Sequence, residues 1–134
     1  MCFTKKGWIS GISAGILLNV FSFIFSYLVP GKNAWYAEQF PEMMGLLGMI
    51  VMIISYFIPG LIMGLGYEMI NGSLPWKGTK KGVIFGVGVW LLAGTMWPIM
   101  MISYAPMMLW VSEFITGFVS YAIVGLVIYH LNKK

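Results

Sequence analysis

The sequence predicts an all-α membrane protein: four transmembrane helices, built as two tandem helical hairpins related by a pseudo-twofold along the membrane normal. Three observations carry that expectation. The 134 residues are 60% hydrophobic and 9% charged, with neither Arg nor Asp, a balance that a soluble domain of this size does not show. Apolar runs of membrane-crossing length recur at about 8–29, 43–67, 83–103 and 107–131, each near the ~20 residues that a helix needs to span the hydrocarbon. The chain also repeats itself. "KKGWISGISAG" from Lys5 matches "KKGVIFGVGVW" from Lys80, and "SYFIPGLIMGL" from Ser55 matches "SYAIVGLVIYH" from Ser120, each with five identities in eleven positions. Same-sense halves of this kind imply an axis along the normal.

The first run follows Lys5 and Lys6 and has the outline of a secretory signal. It is too long for a signal core and lacks a small-x-small cleavage site before Pro30, so it is expected to stay attached as the first span. Gly7, Gly11 and Gly15 recur every fourth residue along it, the spacing that lets helix backbones approach closely. Asn19, in mid-span, is expected to join helices by hydrogen bonding, and to become a ligand contact if it faces the same cavity as Glu113.

Next comes the loop "PGKNAWYAEQFPEMMG", with Trp35, Tyr36 and Phe40. It predicts a short interfacial helix capped by Asn33, anchoring the protein or forming a lid over an outward pocket. The second span carries Gly60, Gly64 and a kinking Pro59, and ends at Glu68, within reach of Lys77, Lys80 and Lys81. In the third, Gly82 and Gly86 repeat the glycine spacing and Pro98 predicts a second kink. Pro106 fits the first turn of the fourth span, where its missing N–H costs nothing.

Seven of the eight lysines precede span 1, lie between spans 2 and 3, or follow span 4; Lys32 alone lies opposite, in a loop with Glu38 and Glu42. The rule that cationic loops stay inside predicts cytoplasmic termini and a multi-pass protein of the cell membrane. A bias this strong argues against dual topology, and with it against the small multidrug exporters, whose membrane glutamate sits in the first span.

The stretches "KGVIFGVGVWLL" and "GFVSYAIVGLVIYHL" resemble the small four-span membrane proteins of bacteria and archaea of unknown function, the second half of the chain most closely. That resemblance implies the fold and brings no activity with it.

Glu113 is the one carboxylate deep in an apolar run. A charge there is costly and needs a partner or a task. Thr116, Gly117, Ser120 and Val124 follow it at steps of three and four, so it heads a stripe of small and polar residues that should face protein. Thr95, Tyr104 or a carbonyl freed by Pro98 are the expected partners. At the same depth gather Met43, Met44, Met96, Met100, Met101, Met107 and Met108, with Trp97 and Trp110. Thioethers bind Cu(I), but no His or Cys accompanies them, so they read first as liners of an adaptable apolar pocket.

Glu113, Trp97, Met100, Trp110, Met44, Thr116 and Asn19 are therefore the candidate ligand-binding residues. No metal or cofactor is expected. The lone Cys2 forms no internal disulfide, and His130 ends span 4 as an interfacial histidine. One membrane carboxylate without a second acid, nucleophile or metal ligand makes a poor catalytic set, so an enzyme is not expected. The leading expectation is a pocket for a lipid or other hydrophobic molecule, or an accessory subunit of a larger membrane complex, with no nucleic acid partner. The alternative is a small homo-oligomeric transporter or conduction unit in which Glu113 exchanges a proton or cation.

Overall fold

The computed structural model describes residues 3–133, apart from the side chain of Met43. The expectations for Cys2 and for the Met43 thioether fall outside the described residues. The chain forms α1 (Lys5–Leu28), α2 (Lys32–Gln39), a 3-10 turn (Pro41–Met44), α3 (Leu46–Ile70), α4 (Thr79–Val89), a π-helical turn (Trp90–Gly94), α5 (Met96–Met101) and α6 (Met107–Asn132). Four helical stretches are long and apolar enough to cross a membrane: Lys5–Leu28, Leu46–Ser73, Thr79–Met101 and Met107–Asn132.

Their packing order is α3–α1–α6–α4, with α1 and α6 in the middle. In lipid, apolar contact alone gives little reason for helices to associate, so close backbone approach has to contribute. Glycines provide it in both hairpins. A methyl on Gly64 would overlap the backbone of Gly11, and one on Gly60 would overlap Gly15 and Ala14. Across the second hairpin, Gly82 and Gly86 lie against Gly125, Tyr121 and Tyr129.

The two seams differ by one helical turn. When the matching stretches of sequence are aligned, Gly82 falls on Gly7 and Leu126 on Leu61, yet Leu61 packs on Gly11 whereas Leu126 packs on Gly82. The cause is legible in the substitutions: Trp90 stands at the position of Gly15, and Tyr129 at that of Gly64. With bulk at those places, the close approach of the second hairpin lies one turn nearer the lysine-rich end on α4 and one turn further from it on α6, so the two helices are offset along each other.

A second departure matters more for the site. The α1–α6 interface has no counterpart between α3 and α4, which barely touch. They meet near the lysine-rich end, where Tyr67 packs edge-on against Phe85 at 5.1 Å. Elsewhere a cleft separates them. The buried core lies below and behind it, formed by Ala14, Leu18, Met63, Tyr67, Phe85, Val124 and Ile128.

Pro98 acts as expected, although the distortion falls before it. Proline cannot donate to the Gly94 carbonyl and its ring crowds that turn, and here the chain widens into the π-turn Trp90–Gly94 before restarting as α5. Such turns insert a residue and redirect the side chains beyond them.

At the lysine-rich end Glu68 does not pair with lysine, among the described residues. Its carboxylate caps α1 instead, accepting from the Thr4 amide at 3.0 and 3.2 Å and from the Thr4 hydroxyl, while Thr4 Oγ1 accepts from the Gly7 amide. An anion at a helix N-terminus satisfies free amides and complements the helix dipole.

Candidate functional site

The short helix α2 makes the site. Gly31, at φ +75°, takes the left-handed conformation that glycine adopts without strain and turns the chain back after Pro30. Gly31, not Asn33, is therefore the cap residue, and it bonds through no side chain; Asn33 lies inside the helix. The turn folds α2 over the end of the bundle opposite the lysine-rich one as a roof, with Lys32, Asn33 and Tyr36 lining the space beneath it.

Lys32, at the start of this roof, is 8% exposed and reaches down to Glu113, with Nζ 2.5 Å from Oε1. The one lysine of the loop between the first two spans thus meets the one carboxylate within the spans. The expected partners lie elsewhere: the Thr95 hydroxyl donates to the Leu91 carbonyl at 3.0 Å, and Tyr104 stacks on Trp35 with centroids 5.9 Å apart. Lys32 was missed because a lone loop lysine reads as solvated; the usable signal was that an intramembrane carboxylate needs a countercharge and only one cation lay on its side.

Tyr36, one turn further on, holds the roof to α5. Its hydroxyl accepts from Trp97 Nε1 at 2.9 Å and donates to Met101 Sδ at 3.7 Å. Burial pushes the Tyr36 hydroxyl well above its ordinary range, and the nearby Glu113 carboxylate adds to the rise. Phe40 and Trp35 complete an aromatic layer, Phe40 lying 6.1 Å from Trp97.

Beneath the roof lies a cavity of about 450 Å³. Lys32, Asn33 and Tyr36 close it above, and Glu113, Thr116, Gly117 and Ser120 form one wall. The stripe that Glu113 heads therefore does face protein: Ser120 is 8% exposed and Val124 fully buried. Several wall hydroxyls already donate along their own helices, Ser55 to Val51, Thr116 to Ser112 and Ser120 to Thr116, at 2.7, 2.8 and 2.7 Å. Their oxygens keep lone pairs for a ligand.

Of the residues singled out in the sequence, Glu113, Trp97, Met44 and Thr116 line this cavity. Met100, Trp110 and Asn19 are outside its lining. Met100 is 58% exposed because the π-turn rotates it outward. Trp110 packs edge-on against Phe114 at 6.2 Å. The half-buried Asn19 amide donates to the Gly15 and Ile53 carbonyls at 3.0 and 3.1 Å, tying α1 to α3 by the expected hydrogen bond. Met96, Met107 and Met108 are exposed too, so the methionines do not gather around one centre. Among the described residues, no three His, Cys, Asp or Glu side chains come together to hold a metal.

The cavity continues into the cleft between α3 and α4. A second space of about 400 Å³, lined by Ile62, Met63, Gly66, Phe85 and Val89, shares Pro59, Ala93 and Tyr121 with the first. The whole is a largely apolar chamber under a roof, carrying one ion pair and a few hydroxyls, with an apolar groove leading from it. No family model, curated protein or solved structure matches this chain.

Proposed function

We propose that the protein is a lipid-binding protein of the cell membrane, holding a lipid or similar amphiphile with its polar head under α2 and its chain in the α3–α4 cleft. One observation carries the reading: a chamber with a buried ion pair opens into a groove lined by apolar side chains along an unpaired helix seam. In a bilayer an unfilled seam forfeits packing, and an acyl chain supplies it. The role is binding without chemistry, either alone or as a subunit that presents its ligand to a larger complex. With the lysine-rich end cytoplasmic, the chamber lies in the outer leaflet.

The two hairpins are read as duplicated halves about an axis along the normal, opened along one of two equivalent seams. The glycine seam present in each half supports this, and the open seam becomes the ligand groove.

Conduction is the weaker reading because Glu113 is engaged by Lys32. A passing cation would meet the ammonium as well as the carboxylate, and the pair has no net charge to attract it.

The test places a photo-crosslinking benzoylphenylalanine at Ile62 in the groove or at Leu92, an 84% exposed position outside both linings. After exchange into short-chain detergent, irradiation should yield lipid adducts at position 62 and few at 92. Equal yields at the two positions, or no adduct at either, would refute the groove as a lipid site.

A further inference from the structure

We infer that the head group received under α2 is zwitterionic, with a phosphate beside a primary ammonium, as in phosphatidylethanolamine; the inference rests on the lipid-binding reading above. The charge of the chamber comes first. Lys32 and Glu113 are the charged side chains lining it, they are 11% and 12% exposed, and together they carry no net charge. A ligand with a net charge would leave one charge unbalanced in a poorly solvated place, whereas a zwitterion would not.

The arrangement of donors and acceptors gives the inference its direction. Lys32 has three N–H donors, and among the described residues its one close acidic contact is Glu113. Its remaining donors and the neighbouring Asn33 amide suit a phosphate. From Glu113 the wall runs on through Thr116 and Ser120, with Ser55 across the chamber, and these hydroxyls donate to helix carbonyls. They face a ligand chiefly as acceptors. Acceptors grouped with a carboxylate suit an N–H-rich cation, and a primary ammonium has the three donors to use them.

A phosphate next to Lys32 and an ammonium next to Glu113 would set four alternating charges side by side. An anionic lipid would instead bring its phosphate against Glu113 in competition for Lys32. A head without charge would make no use of the pair, leaving two desolvated ions with no return in binding.

The test is competitive native mass spectrometry on the delipidated protein. It is offered equal amounts of dioleoyl phosphatidylethanolamine, dioleoyl phosphatidylglycerol and dioleoylglycerol. The wild type should retain the ethanolamine lipid with a roughly tenfold preference, as expected for one additional charge-assisted hydrogen bond. Glu113→Gln leaves the site cationic and should turn the preference toward phosphatidylglycerol. Exchanging the charges, Lys32→Glu with Glu113→Lys, keeps the site neutral but parts the carboxylate from the wall hydroxyls, and should leave the ethanolamine preference weaker than in the wild type.

Equal or stronger retention of phosphatidylglycerol or dioleoylglycerol by the wild type would overturn the head-group inference and leave the groove as a lipid site. Retention of none of the three would overturn both. The wild-type competition decides even if a variant fails to fold. In a folded Glu113→Gln protein, an unchanged lipid order counts against the inference.

Discussion

Replacing Lys32 with Met removes a cation whose ammonium lies 2.5 Å from Glu113, in a pair about nine-tenths withdrawn from solvent. At that distance and an effective dielectric of about 20, the direct attraction is roughly 7 kcal/mol. Desolvating the two ions costs several kcal/mol each, so the pair as a whole stands near balance. Removing one partner upsets it, because the other stays buried without a countercharge. Such single truncations cost about 3–5 kcal/mol, and the residual exposure here points to about 3 for Lys32→Met. Glu113→Gln should cost less, about 1–2 kcal/mol, since the amide keeps the shape of the side chain and a polar oxygen beside the ammonium. The double variant removes both charges and should lie within about 1 kcal/mol of the wild type. Equilibrium unfolding by sodium dodecyl sulfate in lipid-free mixed micelles, followed by far-ultraviolet circular dichroism, measures all four proteins. The reasoning is refuted if the losses add, leaving the double variant less stable than either single one.

Gly64→Leu should separate α1 from α3 at a cost toward the upper end of about 1–3 kcal/mol, because the obstructing atoms are the Gly11 backbone and cannot rotate away; the same titration reads it. Thr4→Ala removes a cap that accepts from the Gly7 amide and is itself held by Glu68, and should cost about 1 kcal/mol, with faster amide exchange confined to the first turn of α1. Tyr36 should ionise above the ordinary tyrosine value near 10, because burial favours its neutral form. Its contribution to stability is complete below about pH 10 and is lost as pH rises toward the higher folded value. A spectrophotometric titration of the wild type minus Tyr36→Phe isolates this step, and a difference titration centred at or below 10 counts against a buried roof.

The spans were legible because composition and length alone define them, and their observed ends fall within a few residues of the apolar runs. The glycine spacings also forecast which faces pack, since a close backbone approach admits no side chain. Other features depended on relations that a linear pattern does not carry. Trp90 aligns with Gly15 and Tyr129 with Gly64, and the second seam, with that bulk, is offset by a turn from the first. The open α3–α4 seam and the π-turn before Pro98 likewise leave no mark in an apolar pattern. Glu113 was recognisable as anomalous, and its stripe gave its direction correctly. Its partner was not recognised, because Lys32 comes to it through a backbone reversal at Gly31 that brings a loop residue 81 positions away in sequence into the chamber. Met100 and Trp110 show the converse: residues at one depth need not share a face, and both lie outside the cavity lining.

Blocking the groove tests the lipid-binding account most directly. Gly66 lines the cleft, and a Cβ added there meets nothing within 4 Å, so Gly66→Phe can fill the space without displacing a neighbouring helix. Native mass spectrometry of the purified proteins, released from micelles under matched conditions, counts the lipids that stay with each chain. The account predicts one tightly held lipid on the wild type and its loss from a folded Gly66→Phe variant; equal lipid occupancy on both proteins, or none on the wild type, would contradict it.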